Sequence, residues 1–335
     1  MSELRVDPIT GRWVVIAASR LARPSDYATP APSPDVEDCP FCEGHEGRTP
    51  AEIEAVRRAD SGADRPGWSV RTIPNKFPTL AREAPLPSGP GGDEAHAARP
   101  GTGIHEVIIQ NPRHGPGLPF LTAEHRRSIF GMFRQRVRAL GEEPGVRSVL
   151  LFENAGPESG GTLYHPHAQV VALPLVPPNL EEELAGAERW TLSHDGACGW
   201  ESVARAERAL RTRLVWEDPT LVAFAPWAPQ YPYEVLVMAT HHSARFSESS
   251  DEEIDRLAEV VPAVLRAILK VEPRASYNYF LHTLPGTGPS PGFHWHFHIA
   301  PRLVRPDGFE LGTGIPVNPM APEGAAQDLR SNWDL

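Results

Sequence analysis

The 335-residue chain reads as an α+β fold made of two copies of one unit, each an antiparallel sheet covered by helices. One ground is a strand-like stretch with chemistry on one face, His165-Pro166-His167-Ala168-Gln169, and its near-copy His294-Trp295-His296-Phe297-His298. The other is what precedes each stretch: an apolar strand, an amphipathic helix, a second strand and a Gly-containing loop. A repeated order of this kind marks an internal duplication. Strands interleaved with one helix by short links imply sheets covered by helices on one side. The units are placed at residues 1–178 and 179–335.

The bulk composition fits a soluble globular protein, with 40% hydrophobic and 22% charged residues. A net charge of −11 argues against general nucleic-acid binding, which needs a basic face, but leaves room for a local basic site for a nucleotide phosphate. Met1 to Asp7 lacks the apolar core of a signal peptide, and no apolar run approaches the ~20 residues of a membrane span. Three cysteines, two of them in one CxxC, do not make a secreted disulfide framework. A cytoplasmic protein is expected. The 37 prolines, about twice the usual ~5%, imply many stiff loops.

In chain order, Arg12 to Ala18 reads as a strand after the turn at 7–11, with Arg20 and Arg23 in the loop beyond. Residues 28–38 are a proline-rich, acidic linker leading to Cys39-Pro40-Phe41-Cys42. Residues 84–103, rich in Pro, Gly and Ala, carry no periodicity and read as an exposed loop. Ile104 to Gln110 is a strand. Thr122 is the N-cap of a helix to Leu140, whose Ile129, Met132, Phe133, Val137 and Leu140 share a face. Val149 to Asn154 is a strand that feeds the glycine-rich segment 154–162 and then the histidine stretch. The second unit repeats the plan. Leu221 to Ala225 is a strand, and Tyr233 to Met238 matches His105 to Gln110 at the interval that separates His242 from His114. Ser249 or Ser250 caps a helix with Asp251, Glu252 and Glu253 in its first turn and Ile254, Leu257, Val261, Val264, Leu265 and Ile268 on one face. Tyr277 to Leu281, a Gly/Pro loop and the second histidine stretch complete it.

Cys39 and Cys42 form half of a tetrahedral zinc site, and His114 and His165, both at strand ends, can complete it. The alternatives are a redox dithiol, which should open a helix after a strand, and two unrelated buried cysteines. The second unit carries a partial echo, Cys198 and Glu201 with His242 and His294, which reads equally as a second metal site or as one lost after duplication. On a strand, residues 165, 167 and 169 point the same way. A histidine there, beside a glycine-rich loop whose N–H groups can meet a phosphate, suits attack at phosphorus. Neutral imidazole is a good nucleophile near pH 7. His167 is central. Gln169 can donate to a phosphoryl oxygen but cannot deliver a proton, which favours an adduct that waits for an acceptor. The bland alternative, a polar strand face at a solvent edge, fits poorly with two copies of the same face.

His294-Trp295-His296-Phe297-His298-Ile299 fits the histidine-triad pattern, and His165-Pro166-His167-Ala168-Gln169 fits the HPHxQ variant of its transferase branch. Together with Cys39/Cys42, Asn75-Lys76-Phe77, His114, Phe152-Glu153-Asn154, Gly160-x-Thr162 and Trp227-Ala228-Pro229, the chain resembles the galactose-1-phosphate uridylyltransferase family along nearly its whole length. The resemblance implies two duplicated histidine-triad-like units and a ping-pong exchange. His167 takes the uridylyl group from UDP-glucose, and galactose 1-phosphate receives it. It implies Gln169 on the intermediate's phosphoryl oxygen; Asn154, Gly160 and Thr162 on the nucleotide phosphates; Asn75 and Phe77 near uracil and ribose; and zinc on Cys39, Cys42, His114 and His165. It also implies a homodimer in which Arg20 and Arg23 reach phosphate across the interface. Segment 308–319 (Gly308-Phe309-Glu310-Leu311-Gly312-Thr313-Gly314) departs from the transferase pattern. It resembles the ADP-glucose phosphorylase branch, in which free phosphate is the acceptor. In some transferases a second metal sits on a Glu after the first histidine strand with three histidines; Glu183 (within 181–183), His282, His296 and His298 match. A third reading is a histidine-triad hydrolase or nucleotide-binding protein that uses His296.

Overall fold

The computed structural model describes residues 2–6, 13–17, 39–83, 96–161, 163–285 and 292–334. Arg20, Arg23, Thr162, the 7–11 turn and the 28–38 linker lie outside them. The first half runs β1 (Ser2–Val6), β2 (Trp13–Ala17), β3 (Glu54–Arg57), β4 (Trp68–Pro74), β5 (Ala98–Pro100), β6 (Ile104–Ile109), α1 (Ala123–Gly141), β7 (Ser148–Ala155) and β8 (His167–Leu173). The second runs α2 (Pro178–Ser193), α3 (Gly199–Leu210), β9 (Leu214–Glu217), β10 (Leu221–Phe224), β11 (Val235–Ala239), α4 (Asp251–Val271), β12 (Tyr277–His282), β13 (His296–Pro301), α5 (Gly308–Thr313) and α6 (Pro322–Ser331).

One ten-stranded sheet crosses both halves in the order β3-β4-β6-β8-β7-β12-β13-β11-β10-β9. Read outward from the β7–β12 pair, the strands correspond one to one: β7 with β12, β8 with β13, β6 with β11. The duplication is therefore a pseudo-two-fold about that seam, and every pairing within the sheet is antiparallel. A smaller sheet, β2-β1-β5, takes in residues 98–100 of the stretch expected to be loop. Backbone pairing with β1 supplies the order that its composition does not signal.

Side chains alternate across each strand. On one face, Ala168, Val170, Leu151, Tyr279, Phe297 and Ile299 meet Ile129, Phe130 and Phe133 of α1 and Leu257, Val261, Val264 and Leu265 of α4 in a continuous core. Both helices start where their caps place them. Thr122 accepts from the His125 amide, and Ser250 closes a capping box with Glu253. The opposite face carries the histidines. There Gln169 pairs with Phe152, Phe152 with Phe280 and Phe280 with His298, one row across the seam.

Two strands begin later than the hydrophobic pattern implies. β8 starts at His167, because Pro166 has no N–H to give the ladder; His165 stands just before it. β11 starts at Val235, since Tyr233 has φ 60° in the left-handed region and the Glu234 carboxylate is used on the Gln230 and Tyr231 amides.

One carboxyl lies on the helix-covered face beside the seam. Glu153 is buried and accepts from the Tyr279 hydroxyl (2.6 Å) and the Gln110 amide. Burial pushes its pKa up to about 7, against those two hydrogen bonds, from an ordinary 4.5. Between these values the unfolded chain has released a proton that the folded chain keeps, so stability falls as pH rises through the window and levels off above it. Glu153→Gln is expected to reduce the loss of unfolding free energy between pH 5 and pH 8 by about 2–3 kcal/mol. Urea titrations of both proteins at the two pH values measure this; an equal loss in both would refute the assignment.

Candidate active site

His167 opens β8 with its ring close against the Phe41 edge (centroids 5.3 Å). Its Nδ1 lies 2.8 Å from the His165 carbonyl. A carbonyl only accepts, so Nδ1 carries the hydrogen and Nε2 of the neutral ring carries the lone pair. The sequence does not show which nitrogen carries the lone pair; this contact assigns it.

His165, whose ring also meets Phe41 (centroids 6.0 Å), has the opposite tautomer. Its Nε2 donates to the Asn111 carbonyl at 2.6 Å, which leaves the Nδ1 lone pair 3.4 Å from Cys39 Sγ and 3.7 Å from Cys42 Sγ. Burial lowers its pKa to about 4, so it is the neutral, ligating form. Ligand atoms of Cys39, Cys42, His114 and His165 all lie within 4.8 Å of one another. Two sulfurs and two imidazoles at one point make a tetrahedral donor set for a soft or borderline cation. The His45 ring holds the Cys39 carbonyl at 2.7 Å. The CxxC leads into a one-turn 3-10 helix, Glu46–Arg48, not the α-helix that a redox dithiol needs.

The glycine-rich segment follows β7, the strand paired with β8. Gly156 and Gly160 both have φ 85°, and a Cβ on Gly156 would come 2.5 Å from the Ser276 hydroxyl, so the tight approach to β12 requires glycine. Ser276 in turn accepts from the Glu158 amide at 3.1 Å. Asn278 donates to the Asn154 side chain (2.7 Å) and the Ser159 carbonyl (3.1 Å). The second unit therefore staples the first unit's loop. Asn75 reaches Gln169 (3.4 Å) and is turned by the Phe77 amide, which donates to its oxygen at 2.9 Å. The structure thus gathers His167, Gln169, Asn75, Asn154 and the metal donors, with Phe77 and Gly160 on adjoining loops. Asn278, Ser276 and His105 do not stand out in the sequence. The one signal for Asn278 is a polar residue between two tyrosines in a strand.

The pseudo-symmetric copy has become something else. His296, the counterpart of His167, also donates from Nδ1 to a carbonyl two residues back (His294, 2.9 Å). It is fully buried, and Trp200 covers its ring at 4.2 Å. Its Nε2 lies 3.5 Å from Glu183, His298 Nε2 lies 3.8 Å from it, and His282 Nδ1 is at 2.9 Å. The Nε2 atoms of His296 and His298 are buried without a hydrogen-bond partner among the described residues. His298 Nδ1 faces Glu234 at 3.3 Å; burial opposes its charge, but the two carboxylates, Glu183 and Glu234, outweigh this and raise its pKa. The buried His296 lone pair aimed at a carboxylate calls for a cation between them, and Glu183, His282, His296 and His298 form a second donor group. Burial opposes the Glu183 charge, but its three histidine contacts outweigh this and hold it well below the usual carboxylate range. Burial lowers His296 to about 4. Such a closed ring does not suit a nucleophile.

Cys198, Glu201 and His242 also cluster. His294, expected with them, is not in the group. It keeps the Nε2-to-carbonyl contact of its counterpart (His241, 2.8 Å) but turns Nδ1 to the Trp295 carbonyl at 2.9 Å instead of to a thiol.

Fold and site define a duplicated histidine-triad protein in which one copy carries His167 and Gln169 beside a Cys2His2 donor group and the other a second metal-type cluster. More specifically, the chain belongs to the galactose-1-phosphate uridyl transferase family. That family's N-terminal domain model matches residues 1–177, and the HIT domain model matches residues 207–303. ADP-glucose phosphorylase of Arabidopsis thaliana is 30% identical, over 98% of this chain and 92% of its own length. Galactose-1-phosphate uridylyltransferase of Thermotoga maritima is 27% identical, over 98% of both. Among solved structures, a uridylyltransferase mutant superposes with a TM-score of 0.81 at 27% identity, covering 98% of this chain and 97% of that one. No helix among the described residues is long and apolar enough to cross a membrane.

Proposed function

We propose that this chain is a nucleotidyltransferase in which His167 Nε2 attacks the phosphorus next to the nucleoside of a nucleoside-diphosphate glucose. The bond from that phosphorus to the bridging oxygen breaks, and glucose 1-phosphate leaves with the electron pair. The Nδ1 hydrogen bond to the His165 carbonyl stabilises the positive charge that the ring acquires. An oxygen of the acceptor then attacks the same phosphorus and the P–N bond breaks. The first step replaces a phosphate oxygen on that phosphorus by imidazole and the second replaces imidazole by a phosphate oxygen of the acceptor, so no net proton transfer is needed. The amide of Gln169 serves a non-bridging oxygen, and no imidazolium stands at that position to protonate a leaving group. The observation that carries this reading is the tautomer of His167, with its lone pair on Nε2. Zinc on Cys39, Cys42, His114 and His165 would anchor the segment before β8; its part is structural.

The first reading of donor and acceptor is UDP-glucose with galactose 1-phosphate, supported by the family and by relatives such as the Thermotoga enzyme. A second, phosphorolysis of ADP-glucose, is supported by the similarity to the Arabidopsis phosphorylase and by the 308–319 segment. A homodimer belongs to the same proposal, and the exposed Phe309, Leu311, Ile315 and Val317 support it.

UDP-glucose and ADP-glucose, each labelled at the α-phosphorus, test both. Without acceptor, acid-labile and base-stable label on His167 is expected; galactose 1-phosphate or inorganic phosphate should then discharge it, and the faster pairing names the substrates. Label on His296, or steady hydrolysis without acceptor, would overturn the transferase reading.

A further inference from the structure

We propose that His105 is a positioning residue that fixes the polarity of the Gln169 amide, holding its carbonyl back so that its NH2 group faces the reacting phosphate. The proposal rests on Gln169 serving a phosphoryl oxygen.

The two residues are diagonal neighbours on adjacent strands, since Val107 of β6 pairs with Gln169 and His105 with Val171. Both are buried. The Thr79 amide lies 3.0 Å from His105 Nδ1. A backbone N–H only donates, so Nδ1 is the acceptor and the hydrogen of the neutral ring is on Nε2. That Nε2 is 2.9 Å from the Gln169 terminal atom assigned as oxygen. With a donor facing it, the atom must be the oxygen, whichever way the amide had been assigned.

Asn75 gives an independent check. The Phe77 amide donates to one end of its side chain at 2.9 Å, so that end is oxygen and the other is NH2. The NH2 lies 3.4 Å from the same Gln169 oxygen. The 3.1 Å between Asn75 Nδ2 and His105 Nε2 is then the separation of two donors converging on one acceptor. Both lone pairs of the Gln169 oxygen are engaged, and its NH2 is left for a ligand. A flipped amide would set its NH2 against two donors and present a carbonyl to phosphoryl oxygens, which repel it.

Two backbone amides, of Thr79 and Phe77, thus set the whole relay. Because Gln169 is oriented before substrate arrives, no reorganisation is needed in the transition state.

Rates of nucleotidyl transfer for parent, His105→Phe, His105→Gln, Gln169→Ala and the His105→Phe/Gln169→Ala double variant test the proposal. Phenylalanine fills the space without a donor. Glutamine can return an amide N–H near the Nε2 position. His105→Phe is expected to lower kcat roughly 10- to 100-fold with KM within a few-fold. His105→Gln should recover most of the loss, and the double variant should be no slower than Gln169→Ala. Nitrogen NMR of histidine-labelled parent protein adds a readout that needs no variant: His105 should carry its proton on Nε2. The opposite tautomer, a full His105→Phe loss on top of Gln169→Ala, or His105→Gln as slow as His105→Phe each overturns the positioning role. A slow Gln169→Ala with a fast His105→Phe refutes it alone. A Gln169→Ala variant at the parental rate refutes the reading of Gln169 and this proposal with it.

Discussion

Asparagine in place of His167 is expected to lower turnover by about four to six orders of magnitude and to leave no covalent adduct. Asparagine can still donate to the His165 carbonyl, the contact that seats the native ring, so the start of β8 should keep its geometry. What it lacks is a second nitrogen with a lone pair. The residual rate would come from binding and from Gln169, which act without a nucleophile. Initial rates with the faster donor–acceptor pair, and intact mass after incubation with donor alone, measure both effects. A variant that retains a per cent or more of parental turnover would remove His167 from the nucleophile's position.

The second large effect concerns the CxxC. Replacing Cys39 and Cys42 by serine is expected to remove one bound metal ion per chain and to lower apparent stability by several kcal/mol, up to roughly 10. Binding energy at such a site is folding energy, because the unfolded chain has no preformed donor set. The ion would join three separate segments: the knuckle, the loop with His114, and the His165 turn before β8. Activity should fall with it, because the His165 carbonyl orients His167. Metal analysis and thermal unfolding, each with and without chelator, report the outcome. Because Glu183, His282, His296 and His298 form a separate cluster, metal held there should survive. Unchanged metal content and unchanged melting would sink the Cys39/Cys42 site.

What the sequence made legible was periodic or local. Helix caps at Thr122 and Ser250, the apolar faces of α1 and α4 and the duplicated histidine stretch depend on residues close in the chain, and the structure has them. The CxxC with two histidines was legible because metal chemistry narrows the donor types. Less visible was anything decided by register between distant segments. Three adjacent glutamates, 181 to 183, look alike in sequence; only the turn of α2 over β12 and β13 brings Glu183 to the histidines. The late start of β8 depended on the missing N–H of Pro166, which the hydrophobic pattern ignores. His105 looked like an ordinary strand residue. Its role comes from the Thr79 amide, 26 residues away, and from Gln169, 64 residues away.

The seam between β7 and β12 has a consequence for ancestry. In a lone copy of the unit, the innermost strand would end the sheet with its backbone groups unpaired, a template for any strand that meets it. A single-copy ancestor would meet that need by association, with an occupancy set by its concentration. Tethering both copies in one chain makes the encounter intramolecular, so pairing no longer depends on abundance. It also ends the requirement that the copies be identical. One can keep Asn154, His167 and Gln169, while the corresponding places in the other drift to His282, His296 and His298 without loss of the chemistry.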